Sequence, residues 1–459
     1  MPVHRQIGSE HPGWKWGPFT LRIPLYHTRL EVSELLQGFF VSGATGLALV
    51  PVLTNQFGLI FEEAVAFIIL FSLFVFSSFI LFGEPFAPGW ITPALPLVLS
   101  VVLATAEDGS QIYSNPVEKF RLMTAVSIDF SIILFVMGFT GLGKKFMEWL
   151  PGTFKAGIVM GAALAAIYRV FLVKGGAFDV QPVSTMVALT ICLVLIFSIP
   201  LRRYKKKYKW LDLVSSFGLL PGFVAAGIVG PLVGEVAYQV ENGILMPPVL
   251  ELWNKVSPFS IGWPDFNMFL AMMPLALMGY VILFGDLITG VEVLKSAISS
   301  RPDEKIQIDL TRSHLSLGIR NILMAIFAPF FPTQGALWTG VHVIIVRRWA
   351  EGRKAMDSLF SGISSYYSLG LPVIYFLLPV VTVLKPLMPI ALALTLILTA
   401  FACFYVAIGI VSTKIEQGTA LLIAFAIAFY PPWQAITVAI LASLILVGFH
   451  PLETRSSSK

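Results

Sequence analysis

The chain has 459 residues, of which 56% are hydrophobic and only 12% charged, and its mean hydropathy is +0.82. That balance excludes a soluble globular domain, and apolar runs of roughly 18 residues or more recur along the chain, so the sequence reads as an all-α polytopic membrane protein. The formal charge of +5 is no nucleic-acid signal, because Lys and Arg gather in short stretches between apolar runs.

Residues 1–30 are polar and aromatic with no leading apolar region, so a cleavable signal peptide is not expected there. Apolar runs then predict full spans near 35–54, 63–82, 122–142, 153–173, 182–201, 211–232, 267–291, 314–329, 361–380, 387–411, 418–431 and 434–449. Two shorter runs, Ala94–Ala104 and Ala336–Val346, complete a set of fourteen crossings as spans 3 and 10. Every second loop is basic: Lys144–Lys145, the run Arg202 to Lys207, Arg301 with Lys305 and Arg312, Arg347–Arg348, and Lys414. The loop after the second crossing is the exception, with no basic residue. The rule that positive loops stay inside then puts both termini in the cytoplasm and the protein in the cell inner (plasma) membrane. Cys192 and Cys403 fall inside apolar runs and form no disulfide framework.

The two short spans carry the functional argument. The first is entered through Gly83–Pro93, which contains three prolines and two glycines, and the second through Pro329–Gly335. A run of about 11 residues makes a helix of about 16 Å, half of a bilayer core. Non-helical backbone at that depth is tolerated where it lines a cavity or is buried in protein. Ala94 and Ala336 open the two runs at an offset of 242, and the same offset lays Gly43 over Gly285. Fourteen crossings split seven plus seven, and an odd number per copy forces an inverted repeat. The N-terminus of an interrupted helix presents unbonded N–H groups and partial positive charge, which suits an anionic or electron-rich solute. Thr92 is expected to cap the first half-helix, with Pro93 in its first turn, and Thr333 or Gln334 the second.

Charges inside spans are costly and read first as functional. Asp286 stands in the apolar run Tyr280–Gly290 with Gly279, Ile282, Thr289 and Gly290 on its helical face, as a substrate ligand or proton-coupling carboxylate. Asp129 in the fourth span is either a coupling group or half of an ion pair, with Arg320 as candidate partner. Glu84, at the entry to the first broken segment, reads as a gating or an interfacial residue. Lys155 and Arg169 are expected to snorkel to the interfaces. The Gly157, Gly161, Ala165 stripe reads as helix packing or dimerisation, and His342 as packing. No catalytic motif, Walker loop or Cys/His metal spacing is present, so neither an enzyme nor a cofactor or metal is expected, and transport would draw on a gradient.

These features resemble the uracil-permease fold, shared by nucleobase–ascorbate transporters, sulfate permease-type anion transporters and bicarbonate exchangers. The resemblance covers about residues 30–450 and is carried by Gly43–Pro51, by Gly285-Asp286-Leu287-Ile288-Thr289-Gly290 and by Pro332-Thr333-Gln334-Gly335. The acidic residue of the eighth span makes it nearest the nucleobase–ascorbate type. That type has a second carboxylate at the start of the tenth span, where this chain has Ala336-Leu337-Trp338-Thr339. Sulfate permeases usually add a soluble C-terminal domain, whereas about ten residues follow the last span here. The resemblance implies a core domain in two parts, residues 31–150 (spans 1–4) and 261–384 (spans 8–11). A gate domain, residues 151–260 (spans 5–7) and 385–459 (spans 12–14 and a short tail), would form a homodimer while the core moves like an elevator. Residues 1–30 form a cytoplasmic segment.

The resulting expectation is a proton-coupled symporter of a small polar solute, with a nucleobase-like heterocycle favoured and stacked by Trp90 and Trp338. The solute would contact Gly43, Thr45, Thr92, Ala94, Gly335, Ala336, Trp338, Thr339 and Asp286, with Asp286 and Asp129 handling the proton (Na⁺ being the alternative ion). A transporter or exchanger of a small anion, and an anion channel or uncoupled facilitator, are the other readings. The expected partners are the small-molecule substrate, the coupling ion and the lipid bilayer, and no nucleic acid.

Overall fold

The computed structural model describes residues 6–104, 111–369 and 372–448. Its helices, numbered as they bear on the membrane part, are α1 (Val32–Gly46), α2 (Val50–Phe57), α3 (Phe61–Ile80), α4 (Leu95–Val102), α5 (Pro116–Thr140), α6 (Gly152–Phe171) and α7 (Pro182–Phe197). There follow α8 (Leu220–Leu232), α9 (Phe266–Ile298), α10 (Leu310–Phe327), α11 (Thr339–Ala350), α12 (Met388–Ile410), α13 (Lys414–Phe429) and α14 (Pro432–Leu446). Among the described residues, five helical runs are long and apolar enough to cross a membrane: α3, α5, α6, α9 and the run Leu378–Ile410 that ends in α12. A sixth, α7 with Ile199–Lys205, is bent by 52°. The chain is therefore a multi-pass helical membrane protein. Some of the other expected spans correspond to shorter pieces. The first is α1 and α2 joined by a 3₁₀ turn at Leu47–Leu49, and the eleventh breaks into Leu359–Ser364, a π-helical turn and Pro372–Tyr375.

Local chemistry explains where the helices start. Glu63 reaches back to accept the N–H of Ile60 at 3.1 Å, and Asp265 and Asp309 cap α9 and α10 by accepting the N–H of Met268 and Arg312. At 33 residues α9 is about 50 Å long, more than the bilayer core needs, so its last turns stand outside it.

Two sets of helices pack among themselves. In one, α5 lies against α9 and α10, with α3 and α11 beside them; in the other, α6 is held between α12 and α13, and α7 packs on α8. The seam between them is formed by the first span and α4 against α6 and α12. The glycine stripe of α6 faces inward within the chain: a methyl on Gly157 would lie 2.3 Å from Ile423, and one on Gly161 2.7 Å from Ile427, both on α13. The stripe thus serves close helix packing, not a surface for a second copy.

The N-terminal stretch folds onto the end that carries the basic loops. Strand β1 (Ser9–Glu10) pairs in parallel with β4 (Glu304–Lys305), and β2 (Trp14–Trp16) forms a hairpin with β3 (Phe19–Leu21). The Arg22 N–H donates to Ile80 O at 2.7 Å, Trp16 Nε1 to Leu81 O at 2.8 Å, and the Arg29 and Glu31 N–H groups to the hydroxyls of Ser361 and Ser365. This strap fixes the end of α3, from which the first broken segment departs.

Candidate functional site at the crossed broken segments

The two Pro/Gly-broken entries meet and pair. The N–H of Ile91 donates to Pro332 O at 2.9 Å, that of Gly335 to Gly89 O at 2.8 Å, and that of Trp338 to Ala87 O at 2.8 Å. These partners run in opposite directions, so the segments cross as a short antiparallel ladder that satisfies backbone the membrane interior cannot. No side chain fits between them: a methyl on Gly335 would lie 2.7 Å from Gly89 O, and one on Gly89 2.7 Å from Trp338 Cβ. His342 Nδ1 accepts the N–H of Ala87 at 3.2 Å and adds a fourth tie.

That pairing moves the helix starts. The second half-helix was expected from Ala336, but α11 begins at Thr339, because Gly335 and Trp338 direct their N–H groups across the ladder. Ala336 and Leu337 are buried in the crossing. Neither expected cap forms. Thr92 opens a 3₁₀ turn, Thr92–Ala94, ahead of α4, with Ile91 at the cap position and no side-chain bond. Thr333 donates to Met324 Sδ and Phe330 O, and Gln334 donates to Phe71 O at 2.9 Å. The N-terminus of α11 is consequently open: Trp338 caps with no side chain, and the N–H groups of Thr339, Gly340 and Val341 have no partner among the described residues. Thr339 and Gly340 are exposed.

Behind this open end lies a cation with no direct ion pair among the described residues, though the Glu84 carboxylate acts on it electrostatically. Arg320 of α10 is 1% exposed and donates to Gln334 Oε1 at 3.5 Å and Gly335 O at 3.2 Å, both neutral acceptors. Asn321 steadies the same loop by donating to Gln334 O at 3.1 Å. The expected Arg320–Asp129 pair is absent, since the guanidinium is turned to the broken segment instead; Asp129 is buried in α5 with Oδ2 unpartnered. Glu84 is not interfacial. It is buried and ion-paired with Arg312 at 3.0 Å, and it accepts the Ser313 hydroxyl. Arg312 had been visible in sequence only as a loop cation.

Asp286 on α9 has no hydrogen-bond or ion-pair partner among the described residues and is half-buried, with Gly285 and Thr289 exposed beside it. One turn on, a methyl at Gly290 would lie 3.0 Å from Phe86 and 3.2 Å from Leu337, which puts this face of α9 against both broken segments. Methyls at Gly285 and Gly340 would meet nothing within 4 Å, so this stretch of α9 and the start of α11 each have open space beside them. The entry to α4 is shut. Thr92 and Pro93 face Ala163, Thr399, Ala400 and Cys403 across a crevice with no room for a water molecule.

Each indole meets another ring near-perpendicular: Trp90 with Phe71 (5.6 Å, 74°) and Trp338 with Tyr366 (6.3 Å, 86°). Ala94 is fully buried and Thr45 lies buried in α1; the surroundings of Gly43 lie outside the described residues. Among the described residues, no group of three His, Cys, Asp or Glu is placed to hold a metal ion.

No family model matches the sequence, and no curated protein does. Solved structures do. Murine Slc26a9 (Solute Carrier 26 family member A9), described as an anion transporter in the inward-facing state, matches with a TM-score of 0.51 at 13% identity, over 91% of this chain and 68% of that one. A second SLC26A9 structure matches at 0.53 and 13% identity, over 91% of this chain and 65% of that one. The transmembrane domain of the cyanobacterial bicarbonate transporter BicA matches at 0.48 and 17% identity, over 89% of this chain and 97% of that one. At these identities the likeness is one of fold. The likeness agrees with the uracil-permease-like fold expected from the motifs, and it does not single out the nucleobase–ascorbate type.

Proposed function

We propose that this protein is a secondary transporter of a small anion, bound where the two broken segments cross. The carrying observation is the charge balance of that site. The open N-terminus of α11 supplies partial positive charge and three N–H donors, and the fully buried guanidinium behind it has only neutral acceptors. Glu84, which also acts on Arg320 electrostatically, is ion-paired with Arg312, and a solute anion would supply the direct ion-pair partner that Arg320 lacks. The fold likeness to a protein described as an anion transporter supports the same class. The heterocycle reading needs Trp90 and Trp338 to stack on one solute, whereas here each stands near-perpendicular to another ring, Phe71 and Tyr366.

In this proposal Thr92, Thr339 and the N–H groups of Thr339–Val341 hold the anion, Arg320 orients it through Gln334 and Gly335, and Asp286 forms the opposite wall. Ionised, Asp286 repels an anion at the crossing; protonated, it admits one. Anion and proton therefore travel together, with Asp129 as a second proton carrier. Residues 31–150 and 261–384 act as the moving core, 151–260 and 385–459 as the gate, in fourteen crossings of a 7+7 inverted repeat with both termini in the cytoplasm. The open flank beside α11 then faces inward, because α11 runs to Arg347 and Arg348.

The test is uptake into liposomes holding the purified protein, with labelled bicarbonate, chloride, sulfate, a small carboxylate and uracil compared under an imposed pH gradient. Saturable accumulation of at least one anion, collapsing when the gradient is removed, is expected. Accumulation of uracil with no anion moved would overturn the assignment. Asp286→Asn is expected to keep binding but lose the dependence of uptake on pH; unchanged pH dependence would remove Asp286 from the coupling role.

A further inference from the structure

On the side away from the basic loops, the seam between α2, α6 and α12 widens into a cavity of about 80 Å³ lined by Asn55, Gln56, Arg169, Gly176, Leu392 and Leu396, among others. That space exceeds what one water occupies and admits a small anion with part of its hydration. Its chemistry is one-sided. Arg169 stands in the last turn of α6, half-buried, with no ion pair and no hydrogen-bond acceptor among the described residues. A snorkelling arginine extends its head group to bulk water at the interface; this one lines a recess between helices. Gln56 Oε1 accepts from Gln111 at 3.1 Å, and its amide N–H₂ has no acceptor among the described residues. Among the described residues, no Asp or Glu lines the cavity. Asp179, two residues beyond the lining residue Ala177, is exposed and accepts the N–H of Gly175 at 2.9 Å.

The cavity also lies in series with the crossing. Leu396 lines both it and the narrow crevice at Thr92. We infer that the Arg169 cavity is a second anion site, for a halide or a small monovalent oxyanion, where solute waits on the outer side of the closed seam. The five-donor guanidinium fork suits a planar oxyanion best. The inference takes its ligand class from the proposed anion transport but rests on residues outside the crossing.

The test is thermal unfolding of the full chain in detergent with sodium nitrate replacing sodium gluconate at constant ionic strength, since a ligand bound to the folded state raises the midpoint. Thr339→Trp, which fills the mouth of the crossing, isolates the outer site. In that background nitrate is expected to raise the midpoint still, Arg169→Gln to weaken the apparent affinity roughly tenfold or more, and Arg169→Lys to weaken it less. An identical nitrate response with and without Arg169 overturns the inference. Should Arg169→Gln fail to fold, Asn55→Cys supplies the readout, because the native Cys192 and Cys403 are both buried. Nitrate is expected to slow its modification by a thiol reagent, and an unchanged rate overturns the site. Nitrate binding that depends on Arg169, in a protein that moves no anion, would sink the transport assignment alone. Anion uptake without such binding would sink the second site alone.

Discussion

Residues 81–94 and 328–338 reach the crossing by the same device, a Pro/Gly-broken stretch running into a short helix, yet they bring opposite chemistry to it. The first offers little to an anion. Pro93 and Pro96 have no N–H, the Ala94 and Leu95 N–H groups turn back to Ile91 and Thr92, and Thr92 alone remains. Its one charge, Glu84, is cancelled by Arg312. The second leaves three N–H groups unbonded and has Arg320 behind it. The comparison teaches that a pseudo-symmetric fold need not make a symmetric site: one segment is wall, the other is electrostatic trap.

The largest effect should come from breaking the wall. Glu84 and Arg312 are both nearly fully buried, so Glu84→Leu or Arg312→Met alone strands a charge and should cost about 3–5 kcal/mol, read as a lowered unfolding midpoint. The double variant is expected to recover most of that loss. Equal losses in single and double variants would mean that the pair is not what joins the first segment to α10.

Next in size is the trap. Arg320→Met keeps the bulk and removes the buried positive charge, and anion uptake should fall about 10- to 100-fold, or about 1.4–2.8 kcal/mol. Arg320→Lys should restore little, because a compact ammonium does not reproduce a fork that reaches Gln334 and Gly335 together. Wild-type uptake in Arg320→Met would make the site's polarity a property of the helix end alone.

Much of this contrast was legible in the sequence, and the illegible part has one cause. Gly83–Pro93 and Pro329–Gly335 announce non-helical backbone through residue type, a local property, and both breaks stand where expected. Which N–H of one segment meets which C=O of the other depends on residues about 240 positions apart, and composition carries no trace of it. Hence the half-helix start at Ala336 was three residues early, and the caps assigned to Thr92, Thr333 and Gln334 did not form. Arg320 was legible as an intramembrane charge, but its partner was misassigned. Any buried cation invites a carboxylate on paper, while the fold turned this one toward two neutral oxygens and left Asp129 alone.

The smallest effects isolate the ladder from the trap by making one change at two neighbouring glycines. At Gly335 a methyl would lie 2.7 Å from Gly89 O, 2.8 Å from Trp90 C and 2.9 Å from Ile91 N, all backbone atoms that cannot swing aside. Gly335→Ala must therefore push the segments apart and should cost about 1–3 kcal/mol, with uptake lost alongside. At Gly340 a methyl meets nothing within 4 Å. Alanine is also the better helix former by roughly 1 kcal/mol, so Gly340→Ala should hold or slightly raise stability. It would nonetheless stand on the open N-terminus of α11, where it leaves every N–H in place but narrows the approach to them. A modest weakening of anion uptake with no loss of stability is the expected signature. Lost stability in Gly340→Ala would mean that this space is filled by protein and that the donors of α11 are not available to a solute.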